Sequence, residues 1–208
     1  MIQTEPWAPK GGARTAVNAV VTGVLLGVVQ WGVLVWLASY LSSTALVYLL
    51  STAVWLGGSV FGLLLRGRGF EWAWLAAAMT AYSACRAVAA THPYDLSVLP
   101  ALLLCVAVMG AYAGRFYRFR AACFANVKWL FFLENTGFVL GLLVAVAALF
   151  VWGEPALWTL PWGLAALALG TARGLDQSVV TPEGSPSAPA PSDRPRNSAT
   201  GSTPTSGA

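Results

Sequence analysis

The stretch Val20-Val-Thr22-Gly-Val-Leu-Leu-Gly-Val-Val-Gln30-Trp-Gly-Val-Leu-Val-Trp-Leu-Ala38 decides the fold. Its only polar side chains are Thr22 and Gln30. A helix on the surface of a soluble bundle carries a polar face, and this run has none. A hydrocarbon layer of ~30 Å takes about 20 residues of helix to cross, which is the length found here. Similar apolar blocks predict helices at roughly 16–38, 44–65, 71–91, 96–114, 128–152 and 155–172. In lipid every backbone amide must be paired within its own segment, so apolar runs of this length are helices. The short alternating segments of an outer-membrane barrel are missing. Composition agrees: 57% of residues are hydrophobic and 10% charged, far from a soluble domain. The expected fold class is an all-α integral membrane protein with six transmembrane helices.

The basic residues orient the expected spans. Lys10 and Arg14 precede helix 1, and Arg66 and Arg68 follow helix 2. Arg115, Arg118, Arg120 and Lys128 separate helices 4 and 5, while Arg173, Arg194 and Arg196 follow helix 6. The opposite gaps contain His92, Asp95 and Glu154 but no lysine or arginine. Under the positive-inside rule both termini are cytoplasmic, as in a multi-pass protein of an inner membrane. Arg86, inside helix 3, is the one basic residue that departs from the pattern. The net charge of +4 therefore calls for no nucleic acid; the bilayer itself is the first partner. Trp72, Trp74 and Trp129 toward one side, and Trp152 and Trp158 toward the other, fit interfacial aromatic belts.

Three regions follow: a cytoplasmic segment 1–15, a six-helix domain 16–172, and a cytoplasmic tail 173–208. The tail is rich in Ser, Pro, Thr and Ala, and is expected to be disordered because it buries too little to offset its ordering entropy. The apolar run after residue 15 is longer than the core of a cleaved signal, so helix 1 is expected to persist as a span. Cys85, Cys105 and Cys123 are isolated and read as apolar fillers.

Small residues recur four apart at Gly23/Gly27, Gly58/Gly62, Gly110/Gly114 and Gly137/Gly141. That spacing puts both glycines on one helix face, where another backbone can approach closely. Packing within the bundle is one use of such faces; a homo-oligomer or partner interface is the other. Gly58-Ser-Val-Phe-Gly62-Leu-Leu also matches Gly137-Phe-Val-Leu-Gly141-Leu-Leu. Each is the middle helix of a set of three, which points to an inverted 3+3 repeat, half of a major-facilitator-like fold. Chance in Gly/Leu/Val-rich sequence is the competing explanation.

Three stretches carry a family resemblance. Leu56-Gly-Gly-Ser-Val-Phe-Gly62-Leu-Leu-Leu-Arg-Gly-Arg68 resembles the second span of the membrane domains fused to spermidine synthases. Leu99-Pro100-Ala-Leu-Leu-Leu with Met109-Gly110 is similar to that family's fourth span. Leu130-Phe-Phe-Leu-Glu134-Asn135-Thr136-Gly137-Phe-Val-Leu-Gly141 resembles its Asn-Thr-Gly element. No strand–Gly-rich-loop–helix unit follows helix 6 in this sequence. The resemblance thus implies a major-facilitator-like membrane module and no polyamine synthesis by this chain.

Charges and amides within the spans are the candidate substrate or ion groups, because a charge at the bilayer centre costs about 2.5–3.5 kcal/mol on insertion scales. They are Glu134 with Asn135 and Thr136, Arg86, and Gln30. Glu134 can bind a cation or exchange a proton, with Asn135 and Thr136 as neutral ligands. Alternatively it pairs with Arg66, Arg68 or a basic residue of gap 4–5. Arg86 is expected near Gln30, or reaching Asp95 or Glu154; its depth makes a pair with Glu134 doubtful. Haem-type His pairs, HExxH, CxxC, P-loop and Gly-rich nucleotide motifs are missing, and Gly57-Gly-Ser59 has no His base in any helix. The expectation is a non-catalytic module with neither cofactor nor metal. It would serve as a subunit, a scaffold or half of a transporter; the rival is a small-solute or cation transporter using Glu134.

Overall fold

The computed structural model describes residues 12–41, 45–65 and 70–180, with side chains to Arg173. Among them the chain is all-helical: α1 (Gly12–Tyr40), α2 (Ala45–Leu64), α3 (Glu71–Thr91), α4 (Leu99–Arg120), α5 (Val127–Trp152) and α6 (Glu154–Val180). Short 3-10 turns, Leu96–Val98 and Ala121–Cys123, flank α4. Four segments are long and apolar enough to cross a membrane: α1, α2, Leu96–Cys123 and α5. Among the described residues α3 and α6 are not in that set; α3 contains Glu71 and Arg86, and α6 starts at Glu154. The segment before Gly12, Arg66, Arg68 and the Ser/Pro-rich tail beyond Val180 lie outside the described residues.

Two boundaries correct the sequence reading. The run Arg115–Arg120, expected as a loop, forms the last turns of α4. Its arginines have partners that a loop would not offer. The last carbonyls of a helix lack intrahelical donors, and those of α2 are met from α4. Arg115 donates to Leu65 O and Arg118 to Leu63 O, the latter at 3.3 Å. Arg120 forms an ion pair with Glu71 in the first turn of α3. Likewise α6 runs to Val180 rather than 172.

Local signals set the other ends. Asn126 Oδ1 accepts from Lys128 N at 2.9 Å and starts α5, and Gly153, at φ 69°, ends it. Asp95 accepts from Ser97 N ahead of α4, and these Ser97 hydrogen bonds hold its carboxyl below the usual range. Proline in the first turn of α4 costs no helical hydrogen bond.

The helices alternate in direction. α1 packs chiefly on α5 and α6, and α4 on α2 and α3. Arg14 reaches Gly170 O, so the start of α1 meets the far part of α6 at one end. At the opposite end Tyr94 N donates to Tyr40 O, and Arg86 bridges to Glu154. Leu25, Trp36, Tyr82, Leu102, Met109 and Leu157 form the centre of the core, each fully buried. By contrast, α2 and α5 turn Leu49, Leu56, Phe61, Leu64, Phe131, Leu143 and Phe150 outward. An apolar exterior this extensive is rare on a water-soluble monomer and is compatible with a membrane protein.

All four glycine pairs are used inside the chain. A Cβ at Gly23 would collide with Glu134 O, and one at Gly27 with Phe138 O; Gly137 and Gly141 meet Val20 O and Val24 O in return. In the other crossing, Gly110 meets Trp55 O and Gly114 meets Ser59 O, while Gly58 and Gly62 meet Ala107 O and Ala111 O. Replace Gly23 by Gly110 and Gly137 by Gly58, move each neighbour by the same number of positions, and the contacts coincide. The α1–α5 and α4–α2 crossings therefore share one register. Only hydrogen replaces the side chain where the backbones touch, so both pairs run closer than larger residues permit.

Candidate functional site

A cleft of about 380 Å³ opens where α1, α2, α4 and α5 meet. Gln30 comes from α1, Trp55 from α2, Tyr117 from α4, and Glu134, Asn135 and Phe138 from α5. The shared register explains the gathering. The position matching Gln30 in α4 is Tyr117, and those matching Glu134, Asn135 and Phe138 in α2 are Trp55, Leu56 and Ser59; all line the same cleft. The cleft is thus walled twice by equivalent positions, once with a carboxyl and once with an indole.

Glu134 is buried, with 6% of its surface exposed, and accepts a hydrogen bond from the Tyr117 hydroxyl. Among the described residues it has no ion pair. The basic partner expected from gap 4–5 is replaced by a tyrosine. Once α4 continues as a helix, Arg115 and Arg118 turn to the end of α2, and Tyr117 faces α5. Arg66 and Arg68, the other expected partners, lie outside the described residues. Glu134 thus ties α5 to α4.

The remaining candidates separate. Asn135 and Gln30 share the cleft with Glu134. Thr136 does not; it is exposed and its hydroxyl donates back to Phe132 O at 2.8 Å. Arg86 does not line the cleft; it lies toward the end of the bundle where α1 finishes and α6 begins. It meets Glu154 at 3.0 Å, one of the partners expected for it, and Tyr40 donates to the same carboxylate at 3.3 Å. Its guanidinium lies 4.9 Å from the Trp158 ring centroid and 5.9 Å from that of Trp36. Arg86 and Thr136 therefore leave the candidate site.

Sequence reasoning passed over Tyr117, Trp55 and Tyr82. Tyr117 sat in the run read as a loop, and Trp55 resembled any apolar filler. Tyr82 had a findable signal in Pro161. Proline inside α6 deprives Leu157 O of its helical donor, and the Tyr82 hydroxyl donates to that oxygen at 2.5 Å. Gly32 leaves room for the phenol, and Trp36 packs on it with ring centroids 4.6 Å apart. Asn18 also went unnoticed; buried in α1, it donates to Ala168 O and Thr171 Oγ1 and ties α1 to α6.

Among the described residues no three His, Cys, Asp or Glu side chains converge as metal ligands. The three cysteines are free, Cys85 buried and the others half-buried. Ser59 donates to Trp55 O at 3.0 Å, an ordinary bond within its helix. A second groove, between α5 and α6, has polar groups only on Thr159 and the Trp152 indole among its lining side chains, and the Thr159 hydroxyl bonds Pro155 O. It offers a ligand little to recognise. Comparison with known protein families, curated proteins and solved structures finds no match to this chain.

Proposed function

We propose that this chain is a non-catalytic six-helix module of an inner membrane that forms half of a transporter, completed by a second copy or another membrane subunit. In this reading α3 and α6 span the bilayer with the other four helices, and both chain ends face the cytoplasm. The first three helices and the last three form an inverted repeat. The observation that carries it is the common register of the α1–α5 and α4–α2 crossings. Repeats of this kind place their binding site at the interface between them, and the cleft around Glu134 is lined by residues of both crossings, which supports the reading. The described basic residues Arg14, Arg115, Arg118, Arg120 and Lys128 gather at one end, in keeping with a cytoplasmic face. The likeness of three stretches to the membrane domains fused to spermidine synthases points the same way.

Because all eight glycines are occupied within the chain, assembly would use the outward faces of α2 and α5. Purification in mild detergent, followed by mass measurement, tests the reading. A homodimer or a stoichiometric membrane partner is expected; a stable, isolated monomer at all concentrations would overturn it. A tag near Pro93 that is reached only from the cytoplasm would overturn the orientation.

One observation favours a second reading, in which the chain transports a small solute by itself: a single cleft already unites a carboxyl, a phenol and two amides. Glu134→Gln separates the two. Uptake by the isolated chain, lost in the variant, supports the second; no uptake by the wild-type chain without a partner supports the first.

A further inference from the structure

Glu134 is a carboxyl enclosed by protein, and its partner among the described residues is a neutral hydroxyl. Burying a carboxylate without a cation is costly, so the group either holds a proton or awaits a positive charge. Its surroundings indicate what kind of charge. Trp55, Tyr117 and Phe138 are among the residues that line the same cleft, with Gln30 and Asn135. Aromatic rings attract cations through their electron-rich faces, most strongly for weakly hydrated organic ammonium groups. A hard cation such as Ca²⁺ or Mg²⁺ takes about six oxygens at short range, commonly from several carboxylates; among the described residues this cleft has a single carboxyl, beside two amides and a phenol, and far more room. Its volume of about 380 Å³ falls within the roughly 300–1,000 Å³ of small-molecule sites. The equivalent of Glu134 in the other crossing is Trp55, so the acid occurs once and balances one positive charge.

We infer that the cleft between the two crossings binds one compact organic monocation of the ammonium type, held by Glu134 and the rings of Trp55, Tyr117 and Phe138. The ammonium belongs either to a free solute or to a lipid headgroup entering from the side. This inference deepens the transporter-module reading and rests on it.

The test uses the full chain in nanodiscs of pure phosphatidylglycerol, which carries no amine. Radiolabelled choline is titrated at constant ionic strength, with sodium chloride as the balancing salt. In a second arm the discs also contain phosphatidylcholine and phosphatidylethanolamine, and native mass spectrometry reads which lipids stay bound. The expected result is one saturable site per chain in the first arm, or one retained amine lipid in the second. Glu134→Gln should weaken binding at least tenfold, Trp55→Leu about tenfold, and Trp55→Phe much less, because it keeps a ring. Glu134→Asp, which keeps the charge, guards against a folding artefact and should retain binding. No binding in either arm, equal binding by Glu134→Gln, or displacement of choline by sodium at equal concentration would overturn the inference. If instead the chain is not a membrane protein, it fails to enter the discs at all, before any titration.

Discussion

The α1–α5 and α4–α2 crossings are alike in backbone and unlike in chemistry. Each presses glycines four apart against carbonyl oxygens of its partner, in the same register. Where the first places Glu134 and Asn135 beside the cleft, the second places Trp55 and Leu56; where α1 contributes Gln30, α4 contributes Tyr117. Backbone proximity constrains both crossings, because any side chain at a contact glycine forces the helices apart. The cleft positions are free of that constraint, and there the two sides differ.

The most forceful way to break the comparison is to enlarge the contact glycines. Gly27→Val and Gly114→Val sit at matching positions, facing Phe138 O and Ser59 O. Each should destabilise the fold by about 3 kcal/mol, the upper part of the range for overpacking. Denaturation in mixed micelles measures it. A large loss in one and none in the other would show that the shared register does not mean shared mechanical weight.

Next comes the cleft, where the crossings should differ. Glu134→Gln removes the carboxyl but keeps its shape. It should leave stability unchanged or slightly raised, since a buried acid without a cation contributes little, while solute binding drops at least tenfold, or about 1.4 kcal/mol. A destabilisation above ~2 kcal/mol would make Glu134 a structural residue instead.

The outer helices sharpen the comparison further, because α6 contains Pro161 and depends on α3 to satisfy Leu157 O. Tyr82→Phe should cost about 1 kcal/mol, the usual net worth of one hydrogen bond. Adding Pro161→Ala to that variant restores a helical N–H for Leu157 O and should recover most of the loss. Additive effects of the two changes would sink this account. Smallest of all is the Arg86–Glu154 bridge, with side chains 33% and 42% exposed. Arg86→Ala should change stability by less than about 1 kcal/mol, because screening limits partly open ion pairs.

Much of the scaffold was legible before any coordinates. Apolar runs gave all six helices, and the four glycine pairs marked the faces where backbones touch. Less was legible where polar residues interrupt the pattern. Arg115–Arg120 read as a loop because charge density signals solvent, and only the carbonyl end of α2 and Glu71 explain why it is helical. Of the site, Glu134, Asn135 and Gln30 were singled out and do share one cleft. Thr136 and Arg86 were singled out by the same logic and do not belong to it. Polarity inside an apolar segment marks a residue as unusual without saying which way it faces.

Hydrophobic length and glycine spacing are properties of consecutive residues, so the sequence alone determined that this chain folds as long apolar helices with faces for close contact. Which helix each face meets depends on how remote segments dock, since a glycine pair accepts any backbone of matching register. Only the tertiary structure decided that α1 takes α5 and α4 takes α2. It also brought Tyr117 to Glu134 and set a lone carboxyl among aromatic rings.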